Sequence, residues 1–223
     1  YAIARAKASH HKGSRMTSNL IDRGVEFIEI RSLDLNPFSR IGIDRETVLF
    51  FEIFMMLCLI KKNDYIDHSS MQDINLNDIK VAKFGRKTDT LLTNGDSKIS
   101  IKDWGNQILA EMEKIISETD YCRDDYEQMI VIMRSRINNP EKTLSSRILE
   151  SLKSKKISYT EFGNNIAHEN KQYFMQRDQS TNQSWEIFKN EARVSLEKQE
   201  LMEIDSKKAN QTFEQYKKDH FDY

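Results

Sequence analysis

Gly24-Val25-Glu26-Phe27-Ile28-Glu29-Ile30-Arg31-Ser32-Leu33-Asp34-Leu35-Asn36-Pro37-Phe38 is the stretch on which the reading of this chain turns. Its first half alternates, which predicts a strand from about Val25 to Arg31. Successive strand side chains point to opposite faces, so Phe27, Glu29 and Arg31 share one face and Glu26, Ile28 and Ile30 the other. At a rise of ~3.3 Å per residue, the Cα atoms of Glu29 and Arg31 lie ~6.6 Å apart. A metal-bound phosphate fits such a pair: the carboxylate is a hard ligand for Mg²⁺ and the guanidinium a planar clamp for phosphate oxygens. A half-buried strand with a solvated charge pair satisfies the same pattern, and spacing alone does not identify an enzyme.

Working outward, Tyr1 to Ala8 also alternates, with Tyr1, Ile3, Arg5 and Lys7 on one face and four alanines on the other. Ser9 to Arg15 is a polar loop. Its neighbours His10 and His11 point apart on most backbones and have no third ligand close by, so they read as loop residues rather than a zinc site. A short helix from about Thr17 to Arg23 ends at Gly24, the usual residue for leaving a helix with positive φ. After the strand, Ser32 to Ile43 is a loop fixed by Pro37 and by local bonds from Asp34 and Asn36. Asp44 caps the next helix, with Glu46 in its first turn. From Val48 to Ile60 that helix is apolar nearly all round, which predicts a core position, with Met55 and Met56 as packing residues.

Further on, Asn75 to Phe84 predicts a helix stopped by Gly85, and Asn94-Gly95 a hairpin turn. Arg86 and Lys87 could reach phosphate or ribose, but a solvated turn after that helix is the better reading of the pair. From Ile101 the pattern is helical. Trp104, Ile108, Met112 and Ile115/Ile116 recur at three and four residues, as do Tyr126, Met129/Ile130 and Met133. Pro140 ends the second of these helices, Thr143 or Ser145 begins a third, Phe162, Ile166 and Tyr173 mark a fourth, and Trp185 to Leu196 a long one. His168 and His220 sit at helical positions without ligand-like partners.

Composition narrows the class. The chain has 223 residues, 38% hydrophobic and 31% charged, with only 7 Gly and 2 Pro. That is a folded, mostly helical protein, not a turn-rich all-β one. With 34 basic and 35 acidic residues, its net charge of −1 gives no reason to expect nucleic acid or an anionic membrane. The longest apolar run is shorter than the ~20 residues a membrane span needs. Cys58 and Cys122 form no pattern, and a reducing cytoplasm is the simpler setting. No Gly-rich phosphate loop, His-Glu-x-x-His or Cys-x-x-Cys occurs.

The wording of the central stretch goes further than its periodicity. Gly24 to Ser39, followed by Ile41-Gly42-Ile43-Asp44, closely resembles the glutamate–cysteine ligases of the bacterial stand-alone type. The resemblance continues through Tyr1-Ala2-Ile3-Ala4-Arg5-Ala6-Lys7, Gly85-Arg86-Lys87 and Asn139-Pro140-Glu141-Lys142-Thr143-Leu144-Ser145-Ser146-Arg147-Ile148-Leu149, and thins after Gln172. It implies an α+β fold: part of a curved antiparallel active-site sheet, then a mostly helical C-terminal region. Residues 1–43 would be the strands and active-site loop and 44–223 the helical part of one larger catalytic domain. Members are more than twice this long, so the resemblance implies a C-terminal fragment that is inactive without the sequence preceding it.

The resemblance also implies chemistry. Such enzymes use ATP and Mg²⁺ to join the γ-carboxylate of L-glutamate to the amine of L-cysteine through an acyl phosphate, the first step of glutathione biosynthesis. Three anionic groups meet there, which calls for metal ions and arginines more than for a strong base. On this resemblance Glu29 is a Mg²⁺ ligand, Arg31 grips the transferring phosphoryl group, and Tyr1 lines the cysteine pocket. Arg40 stands where many relatives have proline. The whole enzyme would be a cytoplasmic monomer without nucleic-acid or membrane partners. Two other readings stay open: a different carboxylate–amine ligase on the same fold, and a non-catalytic helical modifier subunit.

Overall fold

The structure, a computed structural model, describes residues 3–9, 16–62, 66–87, 89–177, 183–209 and 212–221. In chain order its elements are β1 (Ala4–Lys7), α1 (Met16–Arg23), β2 (Phe27–Ile30), α2 (Arg45–Ile60), α3 (His68–Phe84), β3 (Leu91–Asn94) and β4 (Ser97–Ser100). Then come α4 (Ile101–Ser117), α5 (Arg123–Asn138), a 3₁₀ turn at Pro140–Lys142, α6 (Leu144–Lys155), α7 (Tyr159–Gln176), α8 (Gln183–Ala209) and α9 (Phe213–Phe221). The class is α+β. Two compact units divide the chain, Tyr1–Ala167 and His168–Tyr223.

The core of the first unit is built by three helices. Leu109, Met112 and Ile116 recur at three and four residues along α4 and so form one stripe. They meet Tyr126, Met129 and Ile130 of α5 and Ile53 and Leu57 of α2, all of them buried. Each such side chain contributes about 1.5–3 kcal/mol by leaving water. Gly105 lets α4 and α5 come close: a Cβ there would stand 2.9 Å from Cδ1 of Ile137. Arg45 at the start of α2 ties it to α5 through a two-pronged bond to Asp125, at 2.7 and 2.5 Å.

Helix α2 corrects one expectation. Although apolar nearly all round, it buries only Ile53 and Leu57, while Val48, Leu59 and Ile60 are exposed and Cys58 lies at the surface. The reason is geometric: α4 and α5 pack against one side of it. Helix α3 begins seven residues earlier than predicted, because Asp67 caps it by accepting from the Ser70 amide at 2.7 Å. Gly85 ends it with φ −57, so no positive-φ turn is used there. The hairpin at Asn94-Gly95 joins β3 to β4, with Leu92 opposite Ile99.

β1 and β2 form a separate two-stranded antiparallel ribbon, shorter than the predicted strands at both ends. Helix α1 covers part of β1 and leaves through Gly24, whose φ of +77 only glycine adopts without strain. No helix among the described residues is long and apolar enough to cross a membrane.

Candidate active-site strand

The register sets the composition of the ribbon's faces. Ala4 pairs with Ile30, Arg5 with Glu29, Ala6 with Ile28 and Lys7 with Phe27. The Arg31 amide extends the ladder, donating to the Ile3 carbonyl at 2.8 Å. Paired residues share a face, so Arg5, Lys7, Glu29 and Arg31 lie together, flanked by Ile3 and Phe27. The strand thus brings Glu29 and Arg31 side by side as the alternation predicts, and adds two cations from β1. Tyr1, the third residue implied by the resemblance, lies outside the described residues, as do His10 and His11.

Glu29 is held from two sides. The Arg31 Nε donates to Oε1 at 3.0 Å, and the Lys7 ammonium stands 3.0 Å from Oε2. Oε2 is closed to solvent and accepts no hydrogen bond of regular geometry, so its contact with Lys7 is an ion pair. Lys7 and then Arg31 hold the Glu29 carboxyl below the usual carboxylate range, which keeps it ionised at neutral pH. The two Nη groups of Arg31 have no partner among the described residues. Their planar edge is free to take two oxygens of a phosphate.

The loop after Arg31 is pinned to the helices. Asn36, 6% exposed, accepts from the Phe38 amide at 3.0 Å and donates to Asp44 Oδ2 at 2.9 Å. Asp44 accepts the Thr47 amide at 2.9 Å as the cap of α2, and Arg136 of α5 lies 3.7 Å from it. Phe38 sits edge-on to Phe162 of α7, with ring centroids 6.2 Å apart, and under the guanidinium of Arg147 of α6 at 4.0 Å. Arg86 is not a merely solvated turn residue: its Nη1 donates to Ser146 of α6 at 3.1 Å. Ser146 in turn donates to the Pro140 carbonyl at 2.9 Å. Three stretches far apart in sequence, around Phe38, Arg86 and Arg147, thereby meet at the start of α6.

Residues 1–81 match the family model described as glutamate-cysteine ligase. The glutamate–cysteine ligase of Alcanivorax borkumensis is 32% identical over 99% of this chain and 42% of its own length. The chain is a relative of the glutamate–cysteine ligases. That of Clostridium acetobutylicum is 34% identical over 73% of this chain and 35% of its own length. A crystal structure of the Francisella tularensis glutamate–cysteine ligase, in complex with AMP, superposes with a TM-score of 0.78 at 25% identity, over 96% of this chain and 41% of that one. The bifunctional glutathione synthetase of Pasteurella multocida shares the fold at a TM-score of 0.57 and 17% identity, over 78% of this chain and 21% of that one. The chain therefore spans about two fifths of the length of the ligases it matches.

Lys7 and the Asn36–Asp44–Arg136 and Phe38–Arg147 contacts were not singled out by motif. Lys7 could have been found by pairing the two alternating segments, since an arginine–lysine face opposite a glutamate–arginine face is self-consistent. Nothing local to Arg147 marks it as the residue that covers Phe38.

Proposed function

We propose that this chain supplies the phosphoryl-transfer strand of a glutamate–cysteine ligase: an enzyme that joins the γ-carboxylate of L-glutamate to the amine of L-cysteine at the expense of ATP. The observation that carries the reading is Arg31, fixed through Nε on Glu29 with its Nη edge unpartnered among the described residues, inside the segment that matches the family. Residues 1–43 act as the strand-and-loop part and 44–223 as the helical part of one larger catalytic domain. Tyr1 lines the cysteine pocket. The setting is cytoplasmic, the whole protein works as a monomer, and neither nucleic acid nor membrane is a partner.

Glu29 is suited to be one ligand of Mg²⁺. Its Oε2 is a hard, ionised oxygen without a regular hydrogen bond, and the Lys7 ammonium 3.0 Å away occupies a cation position that it would yield to the metal. No group of three His, Cys, Asp or Glu gathers around it among the described residues, so further ligands come from elsewhere in the enzyme. A Mg²⁺ ion held in part by Glu29 would supply Lewis-acid stabilisation of phosphate oxygens. Arg31 supplies the complementary part, donating from its Nη edge to the phosphoryl group as negative charge spreads over its oxygens. The γ-carboxylate of glutamate attacks the γ-phosphorus of ATP and ADP leaves; the cysteine amine then attacks the acyl phosphate, releasing inorganic phosphate and a proton as the amide bond forms.

A Mg²⁺ titration of initial rates for wild type, Glu29→Gln, Arg31→Ala and Arg31→Lys in the whole enzyme tests this. Glu29→Gln regains part of its activity at raised Mg²⁺. Arg31→Ala loses ~10²–10³ in rate, as for removal of one charge-stabilising donor, and no Mg²⁺ concentration restores it. Arg31→Lys recovers a fraction, because a point charge lacks the fork. Near-normal turnover in Arg31→Ala sinks the phosphoryl role, and a metal-insensitive loss in Glu29→Gln sinks the ligand role.

A further inference from the structure

The ribbon's charged face holds three cations and one carboxylate. Glu29 lies directly across from Arg5, yet it gives its oxygens to Lys7 and Arg31. Arg5 is exposed and makes no ion pair or hydrogen bond among the described residues. Directly paired strand residues have Cβ atoms about 5 Å apart, and diagonal ones about 7–8 Å. The Arg5 and Arg31 side chains therefore leave one face of the ribbon from roots about 7–8 Å apart, close enough for their forks to reach neighbouring phosphates of a polyphosphate chain.

We propose that Arg5 is a second anion-binding residue of this site, donating its guanidinium fork to a phosphate next to the one that Arg31 holds, so that the pair grips a di- or triphosphate. This rests on the ligase reading above for the identity of the substrate. It goes beyond it in assigning Arg5 a role that neither the alternation nor the Glu29–Arg31 pair requires. Lys7 differs from Arg5 because its ammonium, 3.0 Å from Glu29 Oε2, already has an anionic partner. A guanidinium is suited to the part: planar, always charged, and able to bind two oxygens at once.

The test uses the full 223-residue chain and inorganic tripolyphosphate without magnesium, at low ionic strength, where screening is weak. The arginine Nε–H signals of wild type, Arg5→Gln, Arg5→Lys, Arg31→Gln and the control Lys102→Gln are followed by NMR during titration. Lys102 is an exposed cation on α4. Saturable binding is expected, with the Arg5 and Arg31 signals moving together. Arg5→Gln weakens affinity about tenfold, in line with one charge-assisted hydrogen-bonded contact, and Arg5→Lys weakens it less. Lys102→Gln leaves it unchanged. Should Arg5→Gln lose its helical far-ultraviolet spectrum, Arg5→Lys is read alone, and wild-type affinity there overturns the fork. Equal losses in Arg5→Gln and Lys102→Gln mean diffuse attraction and overturn the inference. A loss confined to Arg31→Gln overturns the role of Arg5 and leaves that of Arg31 standing. No saturable binding by wild type overturns the inference, while the ligase reading is then judged by the Mg²⁺ titration.

Discussion

Replacing Asp44 with alanine removes four contacts at once, those to the Thr47 amide and hydroxyl, to Asn36 and to Arg136; the half-exposed hydroxyl exchanges its bond for one to water, and the cost of the other three can be worked out. The Thr47 amide loses its cap, which costs about 1 kcal/mol. The Asn36 amide, in a side chain only 6% exposed, loses an ionised acceptor at 2.9 Å, which costs about 1–3 kcal/mol. Arg136, 3.7 Å away, adds no more than about 0.5 kcal/mol. The expected loss is about 3 kcal/mol, or roughly 6–12 °C in melting temperature for a chain of this size. Asp44→Asn keeps a good cap but offers Asn36 a neutral partner, so about 1 kcal/mol is expected. Burial acts to raise the Asp44 carboxyl, but the Thr47 bonds, Arg136 and Asn36 outweigh it and hold the carboxyl below its ordinary range. A depressed folded-state value means that the stabilisation is complete above the unfolded value, ~3.9, and is lost as pH falls through the folded one. Urea unfolding followed by Trp104 fluorescence in a Trp185→Phe background measures this at pH 7 and at successively lower pH. A loss under ~1 kcal/mol in Asp44→Ala, or a difference from wild type that stays constant down to pH ~2, would refute the assigned network.

Leu109→Ala, at a position 1% exposed, should cost about 3–5 kcal/mol by the same assay, while Leu59→Ala, at 82% exposure, should change little. Burial and the neighbouring Glu52 push the Tyr126 phenol up to about 12. Because that value is raised, the stability it confers is intact below the unfolded value of ~10 and falls as pH rises towards 12; ultraviolet titration should find Tyr126 among the late-ionising tyrosines, and Tyr126→Phe should remove that part of the alkaline loss. Amides of Phe27–Ile30, in a two-stranded ribbon, should exchange orders of magnitude faster than those of Leu109–Ile116; comparable protection would mean that the ribbon is far more stable than two strands allow.

The sequence displayed local chemistry well. Gly24 as a helix exit, Asp44 as a cap and Asn94-Gly95 as a hairpin are each settled by a few adjacent residues. Alternation likewise put Glu29 and Arg31 on one face. What it could not show was what lies opposite: Lys7 reaches Glu29 through a pairing register across 22 positions, fixed by how the two strands meet. Helix α2 fails for the same reason, since Leu59 and Ile60 look like core residues until the packing of α4 and α5 on one side is known. The early start of α3 was hidden because His68 to Gln72 has no apolar stripe, and only the Asp67 cap marks it.

The stacking of Arg147 on Phe38, with Arg86 on Ser146 beside it, makes helix α6 and the loop after Arg31 inseparable by inheritance. A chimera that took α6 from one relative and residues 32–43 from another would place a foreign side chain against Phe38. Since that loop runs on directly from Arg31, the mismatch would be transmitted to the guanidinium rather than absorbed at the surface. Recombination between relatives should therefore tolerate crossovers within α8 or α9 more readily than any crossover between residues 38 and 147.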